Sequence, residues 1–265
     1  MTGAVGAGVV EPGMVLASLG TSGVIYTHLA APGRDLADPE QPGRLHTMCA
    51  AVPGAWCMTG CTLSAGGALR WCRDTIAPGT PYDTLMAEAA SAPPGCAGLV
   101  FLPYLTGERC PHPDPQARGG WIGLTTRHTR AHLVRAVIEG VTFNMGEILD
   151  LMRSVARSAL VETVRVTGTG NRALVWRQMQ ADVYGAPVVS SNTDEGGCAL
   201  GAALLAGVGV GAWPSVAAAC LTAVKVTETL DPDSSAHERY GPAREVFAGL
   251  YADLRHRFAR LEGAG

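Results

Sequence analysis

Met14-Val15-Leu16-Ala17-Ser18-Leu19-Gly20-Thr21-Ser22-Gly23-Val24-Ile25 sets two short apolar runs on either side of a Gly-Thr-Ser-Gly turn. That pattern predicts a strand, a tight turn and a second strand. Glycines at both ends of the turn let the backbone bend so that several N–H groups point one way, which makes a nest for an anion. The hydroxyls of Thr21 and Ser22 are further donors for a phosphate. The same four residues would also serve a plain hairpin, because Gly and Ser are common in turns.

A second glycine bend, Gly168-Thr169-Gly170-Asn171, lies between a predicted strand, Val164 to Thr167, and a helical stretch, Ala173 to Tyr184. A strand-to-helix bend suits a nucleotide, since the free N–H groups and the dipole at a helix start favour anions. Ala173 stands where a dinucleotide fingerprint would carry its third glycine. No GxxxxGK[ST] occurs, so P-loop chemistry is excluded at the level of motifs. Two phosphate-type glycine bends without a P-loop lysine is the arrangement of actin-like ATPases, which clamp nucleotide between two lobes. The fold expected is therefore α/β: an actin-like ATPase (ribonuclease H-like) lobe, with a mixed sheet and helices on both faces.

Elsewhere helical and strand signals alternate, as an α/β class requires. Helices are predicted over Leu63 to Ile76 and Pro81 to Ala90. After Thr129, Leu133, Val137, Val141, Met145, Ile148 and Met152 recur every three or four residues, giving one apolar face. Ser91 to Gly98 and the Pro-rich Pro103 to Gly120 read as loops, separated by a short strand, Leu99 to Leu102. A strand over Pro187 to Ser191 runs through Glu195-Gly196-Gly197 into a small-residue helix, Ala199 to Ala206. A polar stretch, Thr227 to Ala236, precedes a C-terminal helix ending near Leu261. That helix offers Phe247, Leu250, Leu254 and Phe258 as its apolar face. No fixed-period repeat or linker divides the chain, so residues 1–265 read as a single domain.

Hydrophobic residues make up 47% of the 265, and charged residues only 16%, below the roughly 25% usual in soluble domains. Either a large core or a surface covered by another domain accounts for this. A net charge of −3 argues against nucleic acid as partner, which calls for clustered Lys and Arg. The eight cysteines form no CxxC pair, so buried reduced thiols are expected rather than a metal site. No apolar run reaches a membrane span, and no signal peptide is read, so a cytoplasmic setting is expected and no membrane partner. His128 and His132 have helical metal-ligand spacing but no third ligand, and Arg127, Arg130 and Arg135 point to an exposed face.

Four segments resemble the C-terminal half of the FGGY family of carbohydrate kinases. They are Ser18-Leu19-Gly20-Thr21-Ser22-Gly23; Leu102-Pro103-Tyr104-Leu105-Thr106-Gly107-Glu108-Arg109-Cys110-Pro111-His112; Arg135-Ala136-Val137-Ile138-Glu139-Gly140; and Trp176-Arg177-Gln178-Met179-Gln180-Ala181-Asp182. Ala199-Leu200-Gly201-Ala202-Ala203 completes the order. The G-E-R-x-P-H run resembles the xylulokinase branch more than the glycerol kinases.

The resemblance implies ATP-dependent sugar phosphorylation with Mg²⁺, D-xylulose being the sugar expected. It implies that Gly20, Thr21, Ser22 and Gly23 form the β/γ-phosphate hairpin. By the same match Gly168, Thr169, Gly170 and Asn171 form the adenosine loop, usually written G-G-G-A. Ala65-Gly66-Gly67-Ala68-Leu69-Arg70-Trp71 resembles a nucleotide-contacting helix, which makes Gly66 and Arg70 candidates.

Gly3-Ala4-Val5-Gly6 resembles the tail of a family stretch whose aspartate is the general base. In this register that aspartate falls just before Met1, so no catalytic residue is assigned. The N-terminal sugar-binding lobe is expected to lie outside the chain, which is expected to be catalytically incomplete alone. Glu11, Glu108, Asp114 and Glu139 show no partner in sequence that would make them a base. A non-catalytic nucleotide-binding or interaction module, or a kinase for gluconate, are the alternatives. A homodimer is left open.

Overall fold

A computed structural model describes residues 1–35, 43–156, 161–193 and 197–262. Part of the expected Glu195-Gly196-Gly197 run lies outside the described residues. Nine strands and eight α-helices are present among them: α1 (Thr2–Gly6), β1 (Met14–Leu19), β2 (Gly23–Leu29), β3 (His46–Cys49), β4 (Trp56–Thr62), α2 (Gly66–Ile76), α3 (Tyr82–Ser91), β5 (Val100–Leu102), β6 (Gly120–Ile122), α4 (Arg130–Ala156), β7 (Thr163–Thr167), α5 (Leu174–Tyr184), β8 (Val188–Ser191), α6 (Gly197–Gly209), α7 (Val216–Ala223), β9 (Val226–Leu230) and α8 (Ser234–Glu262).

The main sheet has the order β3-β4-β2-β1-β7-β8-β9, and β5 and β6 form a separate pair. β1 pairs antiparallel with β2 and parallel with β7; β7 and β8 are parallel, and β9 closes the edge antiparallel. The sheet is therefore mixed, as expected.

Side chains alternate across it. Val15, Ala17, Leu19, Ile25, Met58, Val164, Val166 and Val188 join the large core that also takes up buried residues of α2, α4, α5 and α8. Leu16, Tyr26 and Cys57 point the other way, against Ala4 and Ala7. On that side Val5 of α1 packs with Leu204 of α6 and with Val216, Ala219 and Cys220 of α7. Helices thus cover both faces.

The long helix α4 departs from the one-faced reading. From Val134 to Gly146 every residue is buried, polar ones included. Arg135 is the clearest correction: expected on an exposed face, it is buried, with its Nε 2.7 Å from Glu139 Oε1 and its Nη2 donating to Tyr240 Oη at 2.7 Å. α8, folding back from far along the chain, covers it. Phe143 meets Tyr240 and Phe247 of α8 edge-on at 5.9 and 5.8 Å between centroids, a favoured aromatic geometry.

β3, β4 and β6, with α1 and α7, were not read from the sequence. β4 carries Gly60, where a Cβ would lie 2.5 Å from Ile148 Cγ2. β9 falls in the stretch whose sequence is polar because, as an edge strand, it turns most of its side chains to solvent. Its β-branched Val226, Thr227 and Thr229 are the signal that was there to use. α7 has the ordinary start signal of a serine cap, Ser215, whose Oγ accepts from Ala218 N at 3.1 Å. All eight cysteines are free; Cys49 and Cys198 are exposed rather than buried.

Candidate functional site

Topology brings the two glycine bends together. β1 and β7 are adjacent and parallel, with Ser18 opposite Thr167. The Gly20 turn after β1 and the Gly168 bend after β7 therefore leave the sheet at the same edge, side by side. Carboxyl ends of neighbouring parallel strands are where α/β sheets open a ligand crevice. β4 ends at that edge too, since Thr62 pairs with Gly23, so the β4–α2 connection forms a third wall.

Close packing locks the three pieces. The amides of Ala65, Gly66 and Gly67 donate to the carbonyls of Thr21, Gly20 and Thr21 at 2.9, 2.8 and 3.0 Å. Gly168 has φ +93°, and a Cβ there would lie 2.6 Å from Leu19 O; one on Gly170 would lie 1.9 Å from Leu19 Cδ2. These glycines are thus needed to let the bends press on each other around Leu19. The Thr21, Ser22, Thr169 and Gly170 amides donate to no carbonyl among the described residues, which leaves them for a ligand.

A cleft of about 470 Å³ lies between the walls. Gly20, Thr21, Gly66, Arg70, Thr169 and Gly170, six of the ten residues expected at the nucleotide, line it. The other four stand behind it. Gly23 is packed among Thr62, Met145 and Ala65. Ser22 lies beside Cys61. Gly168 is the hinge against Leu19. Asn171 is buried, its Nδ2 donating to Thr167 O at 2.7 Å and its Oδ1 accepting from Gln180 Nε2 at 2.6 Å. Its side chain holds the loop in shape.

Gly67, Leu69, Tyr82, Asp83, Met86, Arg172, Ala173 and Trp176 also line the cleft. Of these, Gly67, Leu69 and Trp176 lie in the segments that resemble the family and Ala173 stands at the third-glycine position, whereas Tyr82, Asp83, Met86 and Arg172 carry no such signal in the sequence. Tyr82, Asp83 and Met86 reach the cleft because α3, like α2, packs on α4, a contact with no local signature. The lining has two cations, Arg70 and Arg172, and one carboxylate, Asp83. That balance suits a polyanion at one end and a hydroxyl-bearing or amine-bearing group near α3.

Glu11, Glu108, Asp114 and Glu139 do not line this cleft. Glu139 accepts from Arg135 and from Gly95 N at 3.1 Å; burial nevertheless pushes its carboxyl up to about 7. Asp114 accepts from Tyr251 Oη at 3.1 Å. His128 and His132 each accept from a nearby backbone amide, Thr125 N at 3.0 Å and Thr129 N at 3.3 Å. No group of three His, Cys, Asp or Glu among the described residues is placed to hold a metal ion.

Residues 15–210 match the model of the FGGY family of carbohydrate kinases, C-terminal domain. The xylulose kinase of Staphylococcus epidermidis is 33% identical over 264 residues, covering 98% of this chain and 51% of that protein. The gluconokinase of Bacillus subtilis is 35% identical over 211 residues, covering 76% of this chain and 39% of that protein. The crystal structure of xylulose kinase from Rhodospirillum rubrum superposes with a TM-score of 0.84 at 32% identity, over 97% of this chain and 50% of the other. The chain spans about half the length of the curated relatives it matches. A sheet of actin-like ATPase type with paired glycine bends at one edge, and a family match over most of its length, place this chain in the FGGY family of carbohydrate kinases, as the C-terminal domain.

Proposed function

We propose that this chain is the nucleotide-binding lobe of an ATP-dependent sugar kinase whose sugar is D-xylulose, the products being D-xylulose 5-phosphate and ADP. The observation that carries the proposal is the convergence of Thr21 and Gly170, from two neighbouring bends, on one cleft. The free Thr21 amide and the Thr21 hydroxyl hold the terminal phosphates. The Thr169 and Gly170 amides hold the phosphates nearest the nucleoside, and Leu69, Tyr82 and Met86 form the wall for the base. Phosphoryl transfer depends on alignment and on donors that meet the developing charge. Among the described residues no group of three His, Cys, Asp or Glu forms a cage for Mg²⁺, so the ion would arrive bound to ATP.

The base that takes the sugar's hydroxyl proton is assigned to the half of the relatives' length that this chain does not span. Closure of the two halves would bring it to the γ-phosphate. Without a base the chain by itself should turn over at least about 10²–10⁴-fold more slowly than the two halves together, or not at all. The xylulose kinases among its relatives and the Gly107 to His112 segment favour a pentulose. A cytoplasmic site of action fits such a metabolic role, and no helix among the described residues is long and apolar enough to cross a membrane.

The test joins this chain in turn to the N-terminal halves of a xylulose kinase and of a gluconokinase relative and measures ADP release with D-xylulose, gluconate and glycerol. Turnover is expected from the xylulose kinase pairing with D-xylulose. Turnover from the gluconokinase pairing alone overturns the sugar, and robust turnover by the 265-residue chain alone overturns the division of labour.

A further inference from the structure

The Thr106-Gly107-Glu108-Arg109 segment is the most distinctive stretch of the sequence, yet it does not line the nucleotide cleft. Its carboxylate, Glu108, is 3% exposed. Four donors from three parts of the chain converge on it. Oε1 accepts from Leu63 N at 3.0 Å and from Arg109 N at 2.7 Å; Oε2 accepts from Thr62 Oγ1 at 2.6 Å and from Asn144 Nδ2 at 2.9 Å. Both oxygens are thus doubly engaged. A carboxylate can accept all four bonds, whereas an amide of the same shape presents an N–H₂ to two of the donors.

What Glu108 holds is the back of the cleft. Thr62 is the last residue of β4 and pairs with Gly23, where the hairpin re-enters β2. Leu63 opens the connection to α2, whose Ala65, Gly66 and Gly67 amides grip the carbonyls of Gly20 and Thr21. Thr106 adds a second tie, its Oγ1 lying 3.4 Å from Ser64 Oγ. Asn144 anchors the same carboxylate to the buried middle of α4. The chain of contacts runs from α4 through Glu108 to the β4–α2 connection, and from there to the turn.

We propose that Glu108 is a positioning residue for the Gly20–Gly23 turn, setting the direction of its amides from behind without touching the ligand. The inference rests on the nucleotide-lobe reading for its functional consequence, but not for its structural part. Glu108→Gln should speed amide hydrogen exchange at Ala65, Gly66 and Gly67 by about tenfold or more, the scale of one lost charge-assisted bond. Exchange in α5 and β8 should stay as in the wild type. MgATP affinity should fall by a similar factor while adenosine affinity, which does not use the turn, is unchanged. Thr62→Val keeps the methyl that packs at Gly23 and removes one donor; it should shift both readouts the same way by less, and it covers the case in which the glutamine variant fails to fold.

Unchanged protection at residues 65–67 in either variant overturns the structural part. Loss of protection spread evenly through α5 and β8, or equal loss of ATP and adenosine affinity, shows a general structural role and overturns the positioning role. If ATP affinity holds while the 65–67 amides loosen, the turn does not depend on them and the inference fails alone. If wild-type chain joined to a relative's N-terminal half binds no ATP, the nucleotide-lobe reading fails, and the functional half of this inference with it.

Discussion

Gly66→Ala tests how the cleft is built. A Cβ at Gly66 would stand 2.6 Å from the Gly20 carbonyl oxygen, and the next neighbours, Gly20 C and Leu19 Cδ2, lie at 3.5 and 3.7 Å. The offending atom is backbone, so no rotamer change relieves the contact. Either the hairpin lifts from α2, or α2 starts later and gives up the amide bonds of Ala65, Gly66 and Gly67 to the turn. Two effects oppose. Alanine favours a helix over glycine by up to about 1 kcal/mol. Overpacking costs about 1–3 kcal/mol, and each lost hydrogen bond adds about 1 kcal/mol. The clash wins, and a net loss of about 1–3 kcal/mol follows. Gly249→Ala in α8 is the control: a Cβ there meets nothing within 4 Å, so the helix gain of up to about 1 kcal/mol stands alone. Urea unfolding of the two variants should shift midpoints in opposite directions. Binding of ATP should weaken only in Gly66→Ala. If Gly66→Ala is as stable as the wild type and binds ATP unchanged, the close docking of the turn on α2 is wrong.

Asn171→Ala removes a buried side chain that bonds Thr167 O and Gln180, and should cost about 1–3 kcal/mol in denaturant titration. Glu139→Ala leaves Arg135 buried without its carboxylate and should destabilise by about 3–5 kcal/mol, whereas replacing both residues with apolar ones of similar volume should cost far less; a double variant as unstable as the single one would contradict this. Burial raises the Glu147 carboxyl from 4.5 to about 7. The folded state then binds a proton that the unfolded state has released, so stability falls as pH rises from about 4.5 to 7. Glu147→Gln should flatten that slope, gaining on the order of 1–2 kcal/mol over the wild type at pH 8 relative to pH 5; parallel pH curves for the two proteins would refute it.

Local chemistry was enough to find the pieces of the site. A turn needing glycine between apolar runs predicted β1, its hairpin and the start of β2, though β2 runs on to Leu29, four residues past the stretch read. The strand-to-helix bend at Gly168 was legible for the same reason, as was α4 from its 3.6-residue period. Strands without clean alternation, such as β4 with its interior Gly60, were not, because their apolar content answers to neighbours rather than to a period. The candidate list held six cleft-lining residues and four that stand behind them. From sequence Asn171 looks like its neighbour Gly170; only Gln180, one helix along, turns its side chain into the protein.

The residue order by itself determined which segments bend, which alternate and which family pattern they follow, since these depend on a residue and its near neighbours. The tertiary structure alone decided that β1 and β7 lie side by side and parallel, that α3 supplies the far wall of the cleft, and that Arg135 and Glu108 are buried and paired. Those facts depend on contacts between residues far apart in the chain. Periodicity tells a residue which face it occupies, but not what will be packed against that face.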